Sequence, residues 1–372
     1  MIPTRRMLVQ IVSKTARGRQ GWELSNDKLA LFLMAGGGNI AGLRVQGRPA
    51  LNPYWNPTWK SIEPGAYRPQ DAKRYGAKLL ACIAGHNLCL GAFGDPSPEE
   101  ARAGLGCHGE APVVRWRVLK RKVTARRIVF QYGCVLPIAQ MRLARTVTLE
   151  AGSAIVRIRE AVENMARRDL PFTMCQHVTF GPPFAEPGET IFDLPATRGH
   201  TFPGRFGRRQ RLKPDTPFTW PFGPGVKGEV DLRFIGRPPC GDYTANLMNP
   251  KQEHAWFSAL NPRLGLMVAY VWRRADFPWL GIWEENRARA EPPWNGKTLA
   301  RGMEFSNSPF PVGLRKAVER GRFQGQPTYR WLPARGTIAY DYAILACPVE
   351  ASCKGVAAIA PTGKTFGVDL LV

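Results

Sequence analysis

Between Val114 and Arg159 several runs change side at every residue. Val114, Trp116 and Val118 alternate with Arg115 and Arg117, and Ile128, Phe130, Tyr132 and Cys134 share one face of the next run. Val156 and Ile158 then alternate with Arg157 and Arg159. A period of two is the period of a strand. Apolar residues on one side with arginines on the other describe a sheet with one dry face and one wet face. Successive runs of this kind read as an antiparallel meander. The 38 Gly and 33 Pro among 372 residues leave few stretches free enough of breakers to carry long helices. The expected fold class is therefore all-β: a large antiparallel β-sandwich with a few short helices.

Other segments fit this frame. Leu29 to Met34 and Ile40 to Val45 read as a hairpin around the turn Gly36-Gly37-Gly38. No helix pattern follows these glycines and no G-K-[ST] accompanies them, so they do not form a phosphate loop. Tyr67 to Ala84 is expected to be partly helical, near Ala72 to Ala81. Ser97-Pro98-Glu99-Glu100 has the form of a capping box with Pro at the first helical position. Phe184 to Pro239 is rich in Pro, Gly and Arg, and reads as long loops between short strands, a pattern associated with site-building segments. Strand signals return over Ala255 to Trp272, and Ile338, Tyr340, Tyr342 and Ile344 line one face of a late strand. No repeat or linker divides the chain, so residues 1–372 are expected to form a single domain.

The formal charge of +23 is large. The basic residues are spread along the chain, the densest runs being Lys120-Arg121-Lys122, Arg167-Arg168 and Arg205 to Arg211. No nucleic-acid-binding motif accompanies them, so they read as a solvated basic surface or a bias toward anionic ligands. The eight cysteines contain no C-x-x-C pair, which removes the zinc-ribbon and thioredoxin readings, and several lie in apolar strand-like runs, as reduced core thiols do. Met1 to Gly21 is polar and basic, without a secretory apolar core, and no apolar run is long enough to span a bilayer. A cytoplasmic protein without a membrane partner is expected.

There are five histidines. His108 lies in Gly104-Leu105-Gly106-Cys107-His108-Gly109-Glu110, where glycines let backbone and ligand approach closely. His177 lies near a strand end that leads into a Pro-rich loop, where a rigid scaffold can present a side chain. Glu304, in Gly302-Met303-Glu304-Phe305-Ser306-Asn307-Ser308-Pro309, reads equally as a solvent-facing residue or an inward base, with Met303 and Phe305 on the opposite face. Trp256, Trp272, Trp279, Trp283 and Trp294 crowd one stretch. Each reads as core or as a flat platform for the C–H face of a sugar. Trp283-Glu284-Glu285-Asn286 looks like loop, where an exposed aromatic would matter.

Taken in order, these segments resemble the galactose mutarotase-like superfamily, the aldose 1-epimerases. Cys107-His108-Gly109-Glu110 is similar to that family's first His-Gly segment. Val162-Glu163-Asn164, then Pro171 and Gln176-His177-Val178-Thr179-Phe180, resembles the strand that carries its acid. Gly302 to Pro309 resembles the segment that carries its base. The resemblance runs from about Leu29 to Ala346. It departs at Asn52 to Pro57, which lacks the family's arginine, and at Phe180, offset from the usual aromatic pair. The resemblance implies a sugar substrate whose anomers are interconverted by His177 as acid and Glu304 as base, with His108 on the ring-oxygen side. It implies no cofactor and no metal. Trp279 and Trp283 are expected to contact the sugar. The aspartate that grips sugar hydroxyls has candidates in Asp231, Asp242 and Asp276, of which Asp276 is taken.

Mutarotation removes a proton from the anomeric hydroxyl and delivers one to the ring oxygen, so acid and base are expected on opposite sides of the pyranose, across a gap. The expected partner is a small carbohydrate, with an anionic one favoured by the charge; no nucleic acid is expected, and the chain should act as a monomer or homodimer. Two other classes stay open: a carbohydrate lyase or hydrolase on a similar sandwich, with cleft arginines and a tyrosine acid, and a carbohydrate-binding protein without turnover.

Overall fold

The computed structural model describes residues 8–47, 51–207 and 209–372. The first seven residues of the basic N-terminal stretch, and Arg208 in the Arg205 to Arg211 run, lie outside the described residues. Ten strands lead up to the first candidate catalytic group: β1 (Val9–Ala16), β2 (Arg19–Asn26), β3 (Leu29–Met34), β4 (Ile40–Val45), β5 (His86–Gly91), β6 (Arg117–Val123), β7 (Arg127–Leu136), β8 (Met141–Glu150), β9 (Ile155–Asn164) and β10 (Leu170–Phe180).

Two large antiparallel sheets result. The twelve-stranded sheet runs β1-β2-β3-β4-β5-β10 and continues through Leu299–Ser306, Trp279–Asn286, Cys240–Met248, Ala196–Thr201 and Pro217–Phe218, with Arg330–Leu332 paired to the start of β10. The eight-stranded sheet runs Ile191–Asp193, His254–Asn261, Leu266–Arg273, Thr337–Pro348, then β9, β8, β7 and β6. β10 therefore lies well inside the larger sheet, between β5 and Leu299–Ser306.

The alternation along the strands sets what each face does. Ile128, Phe130 and Tyr132 of β7 and Val156 and Ile158 of β9 enter one apolar core with Leu31 and Leu33 of β3, Met174 and Val178 of β10, and Met303 and Phe305. The two sheets thus bury a common interior. Each large apolar side chain fully removed from water there contributes on the order of 1.5–3 kcal/mol. The intervening residues of β10 and its neighbour, including Cys175, His177 and Glu304, point the other way. A second apolar cluster covers that face, with Trp55, Cys175, Tyr243, Trp279, Trp283 and Trp294 among its members.

One position on the inner face of β10 is polar. Gln176 Nε2 donates to Glu160 at 2.6 Å, and Arg145 Nε donates to Glu160 at 2.5 Å. His86 lies 2.9 Å from Gln176 Oε1 and 3.2 Å from the Tyr270 hydroxyl, which meets Tyr54. Arg145 and Glu160 are wholly buried. Burial, with Arg145 adding to it, pulls His86 down to about 3, so its imidazole is neutral. This network, in which Arg145 Nη2 is a buried atom without a partner, bridges the sheets directly behind the site face.

Local expectations hold at several points. Gly37 and Gly38 turn between β3 and β4 with φ of 79° and 64°, and a Cβ at Gly38 would lie 2.2 Å from the Trp116 ring. Ser97 Oγ accepts from the Glu100 backbone N–H while Glu100 accepts from the Ser97 N–H, capping the helix Pro98–Arg102. The partly helical stretch forms two short helices, Ala72–Tyr75 and Lys78–Cys82, split at Gly76. Others are corrected. The alternating Val114 to Val118 run is not a strand throughout: strand geometry begins at Arg117, on the sheet edge, so Val118 and Leu119 are exposed. Trp283 to Asn286 is not loop but the end of a buried strand. Its Glu284 turns inward to Arg301 at 2.5 Å and to Arg211 at 2.8 Å, tying the Arg-rich middle segment to the sheet. The helix Leu314–Arg320 and the closing hairpin Gly355–Thr362 and Thr365–Leu371 had no signal in the alternation. All eight cysteines are free, and among the described residues no helix is long and apolar enough to cross a membrane.

Candidate active site

Strand register places the chemistry. His177 on β10 is directly opposite Glu304 on Leu299–Ser306. Both side chains stand on the outward face, and His177 Nε2 lies 3.1 Å from Glu304 Oε1. The sequence reading expected them across a gap; they touch instead, because adjacent antiparallel strands hold facing residues within reach of each other. Residues beside them make room. A Cβ at Gly302 would lie 2.6 Å from Glu304 Oε1, and one at Gly281 would lie 2.0 Å from the Tyr243 hydroxyl.

The pair sits at the floor of a cavity of roughly 450 Å³, with His177 only 5% and Glu304 only 2% exposed. Burial disfavours both ionised forms, His108 adding to the effect on His177 and only partly opposing it at Glu304. It pushes the Glu304 carboxyl well above the usual carboxylate range and pulls His177 well below the usual histidine range. The second ring nitrogen fits this state. His177 Nδ1 lies 3.0 Å from Thr179 Oγ1. With Nδ1–H donating to that hydroxyl, Nε2 carries the lone pair and accepts from a protonated Glu304, a tautomer assigned from the hydrogen-bond network.

His108 arrives on the same cavity from the glycine-rich turn. Its φ is 66° and that of Gly109 is 75°, and a Cβ at Gly109 would meet the Leu90 carbonyl at 2.4 Å. The turn is thereby pressed against β5. His108 Nδ1 accepts the Gly94 N–H at 3.1 Å, its ring stacks on Phe93, and its centroid is 5.4 Å from that of His177. Trp283 borders the pair from the other side, its ring 5.6 Å from His177.

The remaining sequence candidates divide. His108, His177, Trp283 and Glu304 all line the one cavity. Trp279 stands on the same sheet face but is fully buried against Phe323 and is not part of the lining. Asp276 is elsewhere: it pairs with Arg273 at 2.6 Å and lines a separate cleft on the smaller sheet under the C-terminal hairpin. Asp242 is bound to Arg211 at 2.7 Å, and Asp231 accepts the Arg233 N–H. None of the three aspartates faces His177. The carboxylate that does share the cavity, Asp95, was not singled out, nor were Arg205, Arg289 and Tyr243. Asp95 follows Gly94 next to the His108 turn, a loop without alternation to mark it. Tyr243 precedes Thr244 in a strand buried on both faces, where periodicity is silent.

The chain has the galactose mutarotase-like fold. No protein-family model matches it, and no curated protein matches it in sequence. The likeness is in structure. A Klebsiella pneumoniae protein provisionally described as an aldose 1-epimerase superposes with a TM-score of 0.64 at 12% identity, over 92% of this chain and 88% of that one. A galactose mutarotase-like protein from Clostridium acetobutylicum gives 0.60 at 11% identity, over 92% and 99%. A galactose mutarotase related enzyme from Lactobacillus acidophilus gives 0.55 at 12%, over 89% and 98%.

Proposed function

We propose that this protein interconverts the anomers of a sugar by moving protons through His177 and Glu304. The observation that carries this reading is their 3.1 Å contact at the floor of an aromatic-walled cavity. The anomeric hydroxyl and the ring oxygen of a pyranose hang from the same carbon, so two groups side by side on one sheet face serve both. His177 Nε2 takes the proton of the anomeric hydroxyl. The C1–ring oxygen bond breaks with its electrons passing to the ring oxygen, which takes the proton of Glu304. The product is the open-chain aldehyde over an imidazolium and a carboxylate. After rotation about C1–C2 the ring oxygen attacks the other face of the aldehyde, Glu304 recovers its proton, and His177 returns its own. The roles are exchanged relative to those implied by the family resemblance, His177 accepting first and Glu304 donating, because the proposed cycle begins from a neutral pair.

At neutral pH, the ¹⁵N shifts of His177 are expected to be those of a neutral ring protonated at Nδ1. Imidazolium shifts would return Glu304 to the role of ionised base.

The alternative classes fit less well. A lyase acting through tyrosine needs a hydroxyl that ionises readily, whereas burial pushes Tyr243 well upward. A binding-only protein needs an open platform, whereas Trp283 and Trp294 are buried beside convergent His and Glu side chains. Anionic sugars are a second reading of the substrate's charge, favoured by Arg205 and Arg289 in the lining. For a sugar acid, affinity is then expected to fall as salt rises from 10 to 500 mM, since about 8 Å of screening length at physiological ionic strength shrinks further. A flat salt response would leave the charge of the chain as surface alone.

A further inference from the structure

The cavity has an apolar part that the proton chemistry does not use. It is contributed by segments outside the sheet: Leu79 and Leu80 on the helix Lys78–Cys82, Ile83 after it, and Trp55 and Trp294 from the connections. These belong to one apolar cluster, and the Trp55 and Trp294 rings lie nearly parallel, 18° apart, at 6.3 Å. The helix holds Leu79 nearly buried while Leu80 stays half-exposed at the cavity.

The polar groups of the lining come from other segments, apart from the indole Nε1 of Trp55, which is buried without a hydrogen-bond partner. The guanidinium of Arg289 lies 4.8 Å over the Trp294 ring, and its Nε is 3.3 Å from Glu285. Arg205 Nε donates to the Gly207 carbonyl. The Tyr243 hydroxyl lies over Gly281, 3.4 Å from the Pro309 carbonyl, with Phe206 5.3 Å from its ring. Asp231, Asp242 and Asp276 are all outside the lining, and Asp95, which is in it, comes from the segment beside the His108 turn and not from the one that carries Leu79, Leu80 and Ile83. A hydroxyl carried against leucine, isoleucine and tryptophan carbons gives up its hydration without replacement, whereas a methyl or methylene group gains by the same burial.

We infer that the substrate is a deoxy sugar, in which a carbon remote from the anomeric centre carries hydrogen where an ordinary hexose carries hydroxyl. This inference rests on the sugar-epimerising reading of the site and adds the substrate class to it. An apolar pocket discriminates against an added hydroxyl by about tenfold to a hundredfold.

The test uses matched neutral pairs that differ in that one group: 6-deoxygalactose against galactose, 6-deoxyglucose against glucose, and 6-deoxymannose against mannose. Binding is read by titration calorimetry on the full chain, and turnover by anomer exchange. The deoxy member of at least one pair is expected to bind and exchange about tenfold or more better than its parent, and Leu80→Asn is expected to shrink that ratio. Tighter binding of the deoxy sugar without any exchange would sink the epimerase reading and leave the substrate class standing. Parent hexoses that bind and exchange as well as the deoxy forms in every pair would overturn the substrate class alone. Absence of binding by all six sugars would overturn both.

Discussion

Glu304→Gln is expected to lower anomer exchange by about a hundredfold to ten-thousandfold, the usual contribution of a positioned general acid or base. The amide keeps the shape of the carboxyl and a contact to His177 Nε2, but it has no proton to give at an accessible energy. His177→Asn is expected to cost a similar factor, since it removes the ring nitrogen that accepts from the anomeric hydroxyl. Because each group completes the other's half of one proton circuit, the double variant should be little worse than either single one. Sugar affinity should change far less than rate, since the cavity walls remain. Exchange rates for both single variants within a factor of three of the parent would remove these residues from the chemistry.

The second large effect is on stability. Arg145 and Glu160 are wholly buried between the sheets and joined at 2.5 Å. Arg145→Met leaves the Glu160 carboxylate in the core without its ion partner, at an expected cost of about 3–5 kcal/mol. The urea midpoint should drop accordingly. Replacing both residues, as Arg145→Met with Glu160→Leu, should recover much of that loss, because no lone charge is then left behind. A double variant less stable than the single would mean that the remaining network, through Gln176 and Tyr342, holds more of the interface than the ion pair does.

How far this could be read from the sequence follows from what periodicity records. Strands with one wet face, such as β7 to β9, announce themselves through alternating arginines and apolar residues. Strands buried on both faces do not. Trp279–Asn286 carries two adjacent glutamates, one facing the core and one facing the site side, and therefore resembles an exposed loop. The same blindness hid Tyr243. His177, Glu304 and His108 were found because motif order, not spacing, marks them; their mutual distance depends on a register between strands 127 residues apart, about which local pattern says nothing. For that reason the contact between the pair, and the burial that disfavours its charged forms, emerged only from the fold. Asp276 was one of three aspartates offered by the resemblance, whereas the strand before it carries it to the other sheet, to Arg273.

The most direct test of the central claim is two-dimensional exchange NMR of the anomeric protons of the six neutral sugars, with wild-type protein and Glu304→Gln measured side by side. The account predicts cross-peaks between α and β anomers that grow with wild-type protein concentration, above the buffer rate, and that fall to near the buffer rate for Glu304→Gln. Exchange at the buffer rate with wild-type protein, for sugars that calorimetry shows to be bound, would contradict it.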